Sequence, residues 1–254
     1  MWVSALAADS QAILLLAIYY LAFLIVITGL KLIFPLGREV IRKFYHIFFS
    51  FSIFILLFAF QSWLVAMAII ILFFLVALIY LTLEEYILPF EIIDLDRRGN
   101  YRIREVSLQI IYIIIMQTTL LLVFRHYLNQ PHHAAIGVLV WGVGDAAAAV
   151  IGKHYGSLNF NGPVLSPAKT CEGTLSLILL AWLTVMLVGG IHHYSLIPAA
   201  LLEFLPAGAG LIFYALLLAV TAGLVEAVSR VGLDTITLPV AVAVVSYLSL
   251  LFIF

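Results

Sequence analysis

Charge is what this chain has least of. Only 10% of its 254 residues are Asp, Glu, Lys or Arg, against 65% hydrophobic. Soluble domains carry roughly a quarter charged residues, so an ordinary water-exposed surface is excluded. The few charges nearly cancel, twelve basic against thirteen acidic, leaving no basic surplus to neutralise a nucleic-acid backbone. No nucleic-acid partner is expected. Cysteine occurs once, at Cys171, which excludes a disulfide within the chain. The opening MWVSALAADSQ has no basic stretch before its first apolar run, and is read as neither a signal peptide nor a transit peptide. A GxxxxGK[ST] phosphate loop is missing, since Gly152-Lys153 is followed by His154, and so is any HRD or DFG element. No repeat, linker or low-complexity tail interrupts the chain. Residues 1–254 are read as one domain.

What remains is apolar. Runs approaching the roughly 20 residues needed to cross lipid cover Ala12–Ile33, Phe44–Phe60, Trp63–Leu83, Val106–Leu128, His132–Ile151, Thr174–Gly190, Gly208–Val228 and Ile236–Phe254. The expected fold is therefore all-α: a multi-pass membrane protein of about eight spans. The stretch Ile197–Gly210, broken by Pro198 and Pro206, is read as re-entrant or interfacial. Glu84–Glu105 is read as an interfacial amphipathic segment, and the pairs His132-His133 and His192-His193 as outer-interface histidines.

Eight spans put eleven of the twelve basic residues on one side, with Arg125 alone on the other. The rich side is cytoplasmic by the positive-inside rule, so both termini are expected on the non-cytoplasmic side. A ninth span at Ile197–Leu205 would move Arg230 across and part Glu226 from the other polar motifs. Under the eight-span reading those motifs share the cytoplasmic face: REVIRKFYH (Arg38–His46), Gly144-Asp145, Gly152-Lys153, KTCEGT (Lys169–Thr174), Glu226 and GLDTITLP (Gly232–Pro239).

Each group has a plain reading and a sharper one. Arg42 and Lys43 set topology by charge alone, but His46 lies on their helical face one turn deeper. Asp145 sits among glycines and alanines that tight helix packing explains; packing does not explain the acid, and an acid within a span is by default a functional candidate. Thr170 is suited to cap the helix after it, and amides at Glu172 and Gly173 would then face a phosphate. Glu226 pairs most simply with Arg230 four residues on, and Asp234 is unremarkable in a solvated turn. Together Asp145, Glu226 and Asp234, with several cations on one face, suit Mg²⁺ and polyphosphate. Intramembrane acids among small residues also fit a transporter, but transporters place them near the midplane between related halves.

RKFYH, WGVGDAAAAVIGKHYG, KTCEGT and EAVSRVGLDTITLP, in this order, resemble the dolichol kinase, phytol kinase and CTP-dependent diacylglycerol kinase family, distantly related to phosphatidate cytidylyltransferases. The resemblance runs from about Arg38 to Pro239. It implies transfer of the γ-phosphoryl group of CTP to a polyprenol or other isoprenoid alcohol at the membrane interface. By position Arg42, Lys43, Asp145, Gly152, Lys169, Glu172 and Gly173 match its nucleotide motifs, and Asp234 matches its acidic element. Lys153, Thr170 and Thr174 join the expected phosphate contacts. Mg²⁺ is expected on Asp145 with Asp234 or Glu226; Asp145, His46 and Glu226 are the catalytic candidates, the proton acceptor being His46 or one of the acids. Two positions depart from the pattern: Thr235 stands in place of Asn, and Ala168 in place of a second basic residue. A phosphatidate cytidylyltransferase or a diacylglycerol kinase are the neighbouring alternatives. The expected location is the plasma membrane of a prokaryote, or the endoplasmic reticulum or a plastid membrane of a eukaryote.

Overall fold

The computed structural model describes residues 2–34, 44, 47–48, 51–87, 100–160, 165–167, 169–193, 205–230 and 232–253. Among these the chain is helical, and its sole β pairing is an isolated antiparallel bridge between Asn159 and Thr170. The elements are α1 (Trp2–Ala8), α2 (Ser10–Ile33), a π-helical segment (Ile55–Ala59), α3 (Trp63–Ile87) and α4 (Asn100–Leu120), which runs on as a π-helix over Leu121–Tyr127. Then come α5 (Pro131–Tyr155), α6 (Cys171–His193), α7 (Ala209–Val228) and α8 (Asp234–Phe252). Each apolar run read from the sequence overlaps one of these helical stretches. Five helices are long and apolar enough to cross a membrane, within α2, α5, α6, α7 and α8; Trp63–Val76 and Ile111–Tyr127 are shorter apolar helices. The molecule is a polytopic membrane protein.

α5 is the hub. In its most apolar stretch 78% of residues are buried, against 17% in α2, so α5 faces protein where α2 presents a lipid-facing surface. It packs most extensively on α6 and α8; α7 closes the group against both, and α4 joins through α8 and α3. Small residues permit this. A Cβ on Gly137 would lie 2.3 Å from the Pro239 carbonyl oxygen and 3.1 Å from the Ala243 Cβ, so α5 and α8 touch backbone to backbone. Lipid offers no hydrophobic drive for helix association, and such close approach supplies the dispersion contacts instead.

Two polar clusters stitch the far end from Tyr155. Asp9, in the break between α1 and α2, is 1% exposed. Its carboxylate accepts the backbone N–H groups of Gln61 at 2.5 Å and Ser62 at 3.1 Å, just ahead of α3. Arg125, the isolated cation of that side, donates to the Phe60 carbonyl and interacts electrostatically with Asp9. His133 corrects the reading as an outer-interface histidine: it is buried, its Nδ1 lies 2.6 Å from Ser246 Oγ, and the Tyr214 hydroxyl lies 2.5 Å from the same oxygen. The physical reason is that these groups from α5, α7 and α8 satisfy one another where water is excluded. His132 stacks on Phe58.

Asp9→Ala strands two amide donors, and is expected to cost about 1–3 kcal/mol. Thermal unfolding of the detergent-solubilised protein checks this; a melting curve unchanged from the parent would refute the capping role.

Candidate functional site

At the opposite end, the C-terminal ends of α5 and α7 meet the N-terminal ends of α6 and α8. The link from α5 to α6 folds back on itself. Phe160 N–H donates to the Lys169 carbonyl at 3.1 Å and Cys171 N–H to the Leu158 carbonyl at 2.9 Å. Glu172, in the first turn of α6, fastens this loop: its Oε1 accepts Ser157 N–H at 2.9 Å, Ser157 Oγ–H at 2.5 Å and Leu158 N–H at 3.2 Å. A further tie runs from Ser166 N–H to the Ala227 carbonyl, 2.9 Å, at the end of α7.

Thr170 caps α6, its Oγ1 accepting Gly173 N–H at 3.2 Å. Three glycines surround that hydroxyl and methyl. A Cβ at Gly152 would come within 2.9 Å of Thr170 Oγ1, one at Gly156 within 2.7 Å of its Cγ2, and one at Gly173 within 2.9 Å of the Ala148 carbonyl. Gly173 thus has a packing reason: it lets α6 abut α5.

Lys169 is the centre of the site. Its Nζ lies 2.8 Å from Glu226 Oε1 and 2.7 Å from Asp234 Oδ2. The two remaining carboxylate oxygens are also held: Thr174 Oγ1–H donates to Glu226 Oε2 at 2.5 Å, and Thr235 N–H to Asp234 Oδ1 at 3.0 Å. Glu226 is 2% exposed, Asp234 8% and Thr174 8%, so the cluster is shielded from screening. Burial alone would lower the Lys169 pKa, but the carboxylates of Asp234 and Glu226 outweigh it and the net shift is upward. The ammonium therefore stays charged at any neutral pH. The expected Glu226–Arg230 pair is not formed among the described residues, because α7 ends at Val228 and Arg230 is exposed. Ser229 Oγ and Thr237 Oγ1, 2.8 Å apart, bridge the end of α7 to the start of α8 and set the spacing of the two acids.

Asp145 is buried on α5, one residue past Gly144, which abuts Leu177 of α6. Among the described residues no three His, Cys, Asp or Glu side chains gather closely enough to hold a metal ion. Asp145, Glu226 and Asp234 therefore do not form one three-acid group; Glu226 and Asp234 share a lysine. Lys153 is exposed on the last turn of α5. Arg42, Lys43 and His46, and Ala168, lie outside the described residues. Sequence reasoning overlooked Ser157, Ser229 and Thr237. Their signal is a hydroxyl at or just beyond a helix end, where free backbone groups await partners.

A part-buried lysine between two buried acids at the end of a polytopic helical bundle defines a membrane protein with a charged site near one end of its helices. The profile of the cytidylyltransferase family matches residues 2–230. The chain belongs to that family. It is similar to a phytol kinase of Synechocystis sp., 32% identical over 121 residues, which is 47% of this chain and 46% of that relative; the match thus spans less than half of either length. No solved structure matches the chain.

Thr174→Val removes the donor on Glu226 Oε2 without changing the side chain's shape. It is expected to destabilise the protein by about 1–3 kcal/mol, read by thermal unfolding beside Thr174→Ser, which retains the hydroxyl and should recover most of the loss.

Proposed function

We propose that this protein is a CTP-dependent lipid-alcohol kinase acting on a polyprenol or shorter isoprenoid alcohol at the cytoplasmic face of its membrane. The observation that carries the reading is the Lys169–Glu226–Asp234 cluster. It unites two of the four motifs of the resemblance, KTCEGT and EAVSRVGLDTITLP, in one largely buried charged group. Membership of a family named for CTP chemistry supports the nucleotide, and the similarity to a phytol kinase supports an isoprenoid alcohol. In this reading the chain has eight spans with both termini on the non-cytoplasmic side.

Phosphoryl transfer asks the protein chiefly for positioning and charge neutralisation. The acceptor hydroxyl oxygen attacks the γ-phosphorus, the bond from that phosphorus to the β–γ bridging oxygen breaks, and CDP leaves. The hydroxyl proton passes to His46 or to one of the acids. Arg42, Lys43 and Lys169 neutralise phosphate oxygens, aided by the positive N-terminal end of α6. The donor set of Glu226 and Asp234 fits Mg²⁺, which is bound through one or two carboxylates and completed by water and phosphate oxygens. A bound magnesium ion supplies charge neutralisation at those phosphate oxygens. Asp145 is the further acid this reading assigns to the reacting end of the site.

The family's own description favours one second reading: cytidylyl transfer to phosphatidic acid, in which the α-phosphorus is attacked and pyrophosphate leaves. The two differ in which label moves. Purified protein in detergent is given CTP labelled at the γ-phosphate or at the cytidine, with phytol, farnesol, a polyprenol, diacylglycerol or phosphatidic acid. The γ-label is expected on an isoprenoid alcohol. Cytidine label on phosphatidic acid, with no γ-label on any alcohol, overturns the kinase reading. Asp145→Asn is expected to lower turnover about a hundredfold or more with the circular dichroism unchanged; near-parental turnover would remove Asp145 from the reacting centre.

A further inference from the structure

Glu226 and Asp234 come from different helices, yet one oxygen of each converges on a single point, and the Lys169 ammonium occupies it, 2.8 and 2.7 Å away. Opposed acids at such a point otherwise repel or share a proton. The far oxygens are held by Thr174 and by the Thr235 amide, so the carboxylates keep their aim without the lysine. Lys169 lies in the loop ahead of α6, with its backbone held by Ser166 and Phe160. The main chain is held by those two bonds, whereas the ammonium sits at the end of a four-carbon stem with several rotatable bonds. One ammonium against two carboxylates leaves one negative charge; a divalent cation there would leave none.

We propose that Lys169 is the resident counter-ion of a divalent-cation site, competing with the cation for Glu226 and Asp234 and turning to the nucleotide phosphates when displaced. This rests on the kinase reading for what the phosphates are, but not for the competition itself. Among the described residues no third acid joins the pair, so the cation's other positions are left for water and phosphate. In the nucleotide-free protein Lys169 therefore keeps the cation out. With nucleotide present the ammonium gains phosphate oxygens to pair with, and its exchange leaves no buried charge unmatched.

The test needs no turnover. Mn²⁺ binding to the full chain in detergent, without nucleotide or lipid, is followed at pH 8 by the electron paramagnetic resonance of free Mn²⁺. Lys169→Met is expected to bind Mn²⁺ about tenfold tighter or more than the parent, and Lys169→Arg, which keeps the charge, to bind it as weakly. Adding Glu226→Gln to Lys169→Met should erase most of the gain. Affinity in Lys169→Met no greater than in the parent overturns the proposal, as does an undiminished gain in the double variant. Should Lys169→Met fail to fold, the parent protein decides. Acetylation of Lys169 by acetic anhydride, read by mass spectrometry, is expected to rise severalfold under saturating Mn²⁺, and unchanged labelling overturns the proposal. Failure of the kinase reading shows separately, as absent γ-label transfer by a parent protein whose Mn²⁺ competition is intact.

Discussion

A charge removed from water must find its opposite within the protein, and the architecture follows from how few such charges there are. The ion cluster of Lys169, Glu226 and Asp234 is where that rule binds hardest. Each carboxylate is buried and each of its oxygens has a donor. Removing one of the three side chains with nothing put in its place would leave a buried charge short of its partner. The three residues come from one loop and two helices, so their pairing fixes how the end of α7 and the start of α8 sit against the loop entering α6.

Close backbone contact makes that pairing possible. The hub helix α5 can be nearly encircled because glycines and alanines recur among its buried residues and bring neighbours to within touching distance of its main chain. Around Thr170 the same device works at finer scale, since Gly152, Gly156 and Gly173 leave room for a capping threonine between two helix ends. Packing and capping together set the direction from which Lys169 leaves the loop. The far end of the molecule adds polar ties, with Asp9 and His133 joining segments far apart along the chain.

Much of this was legible beforehand. Hydrophobic run length located the helices, and the one-sided distribution of lysine and arginine brought Lys169, Glu226 and Asp234 to the same face. Partner choice was not legible. Glu226 looked matched to Arg230 at helical spacing, but α7 stops at Val228 and the pair has no common helix to stand on. Glu172 resembled a phosphate-site residue, whereas the structure gives its carboxylate to the loop amides of Ser157 and Leu158. Asp9 passed unnoticed because a short acid near the start of a chain carries no periodic signal; its meaning depends on Gln61 and Ser62, more than fifty residues away. Periodicity reports which face a residue takes, and only the folded chain reports who stands opposite.

The loop position of Lys169 has a consequence for biogenesis. Asp234 lies 65 residues further along the chain, so during synthesis the lysine emerges well before either acid that will neutralise it. Through that interval it is an unmatched cation next to a span about to insert, the kind of charge that holds a loop on the side from which it was made. Once α7 and α8 have followed, the same charge is enclosed by their acids. A single side chain is thus an unmatched cation while the chain is being made and, in the finished bundle, the ion that joins the loop before α6 to the ends of α7 and α8.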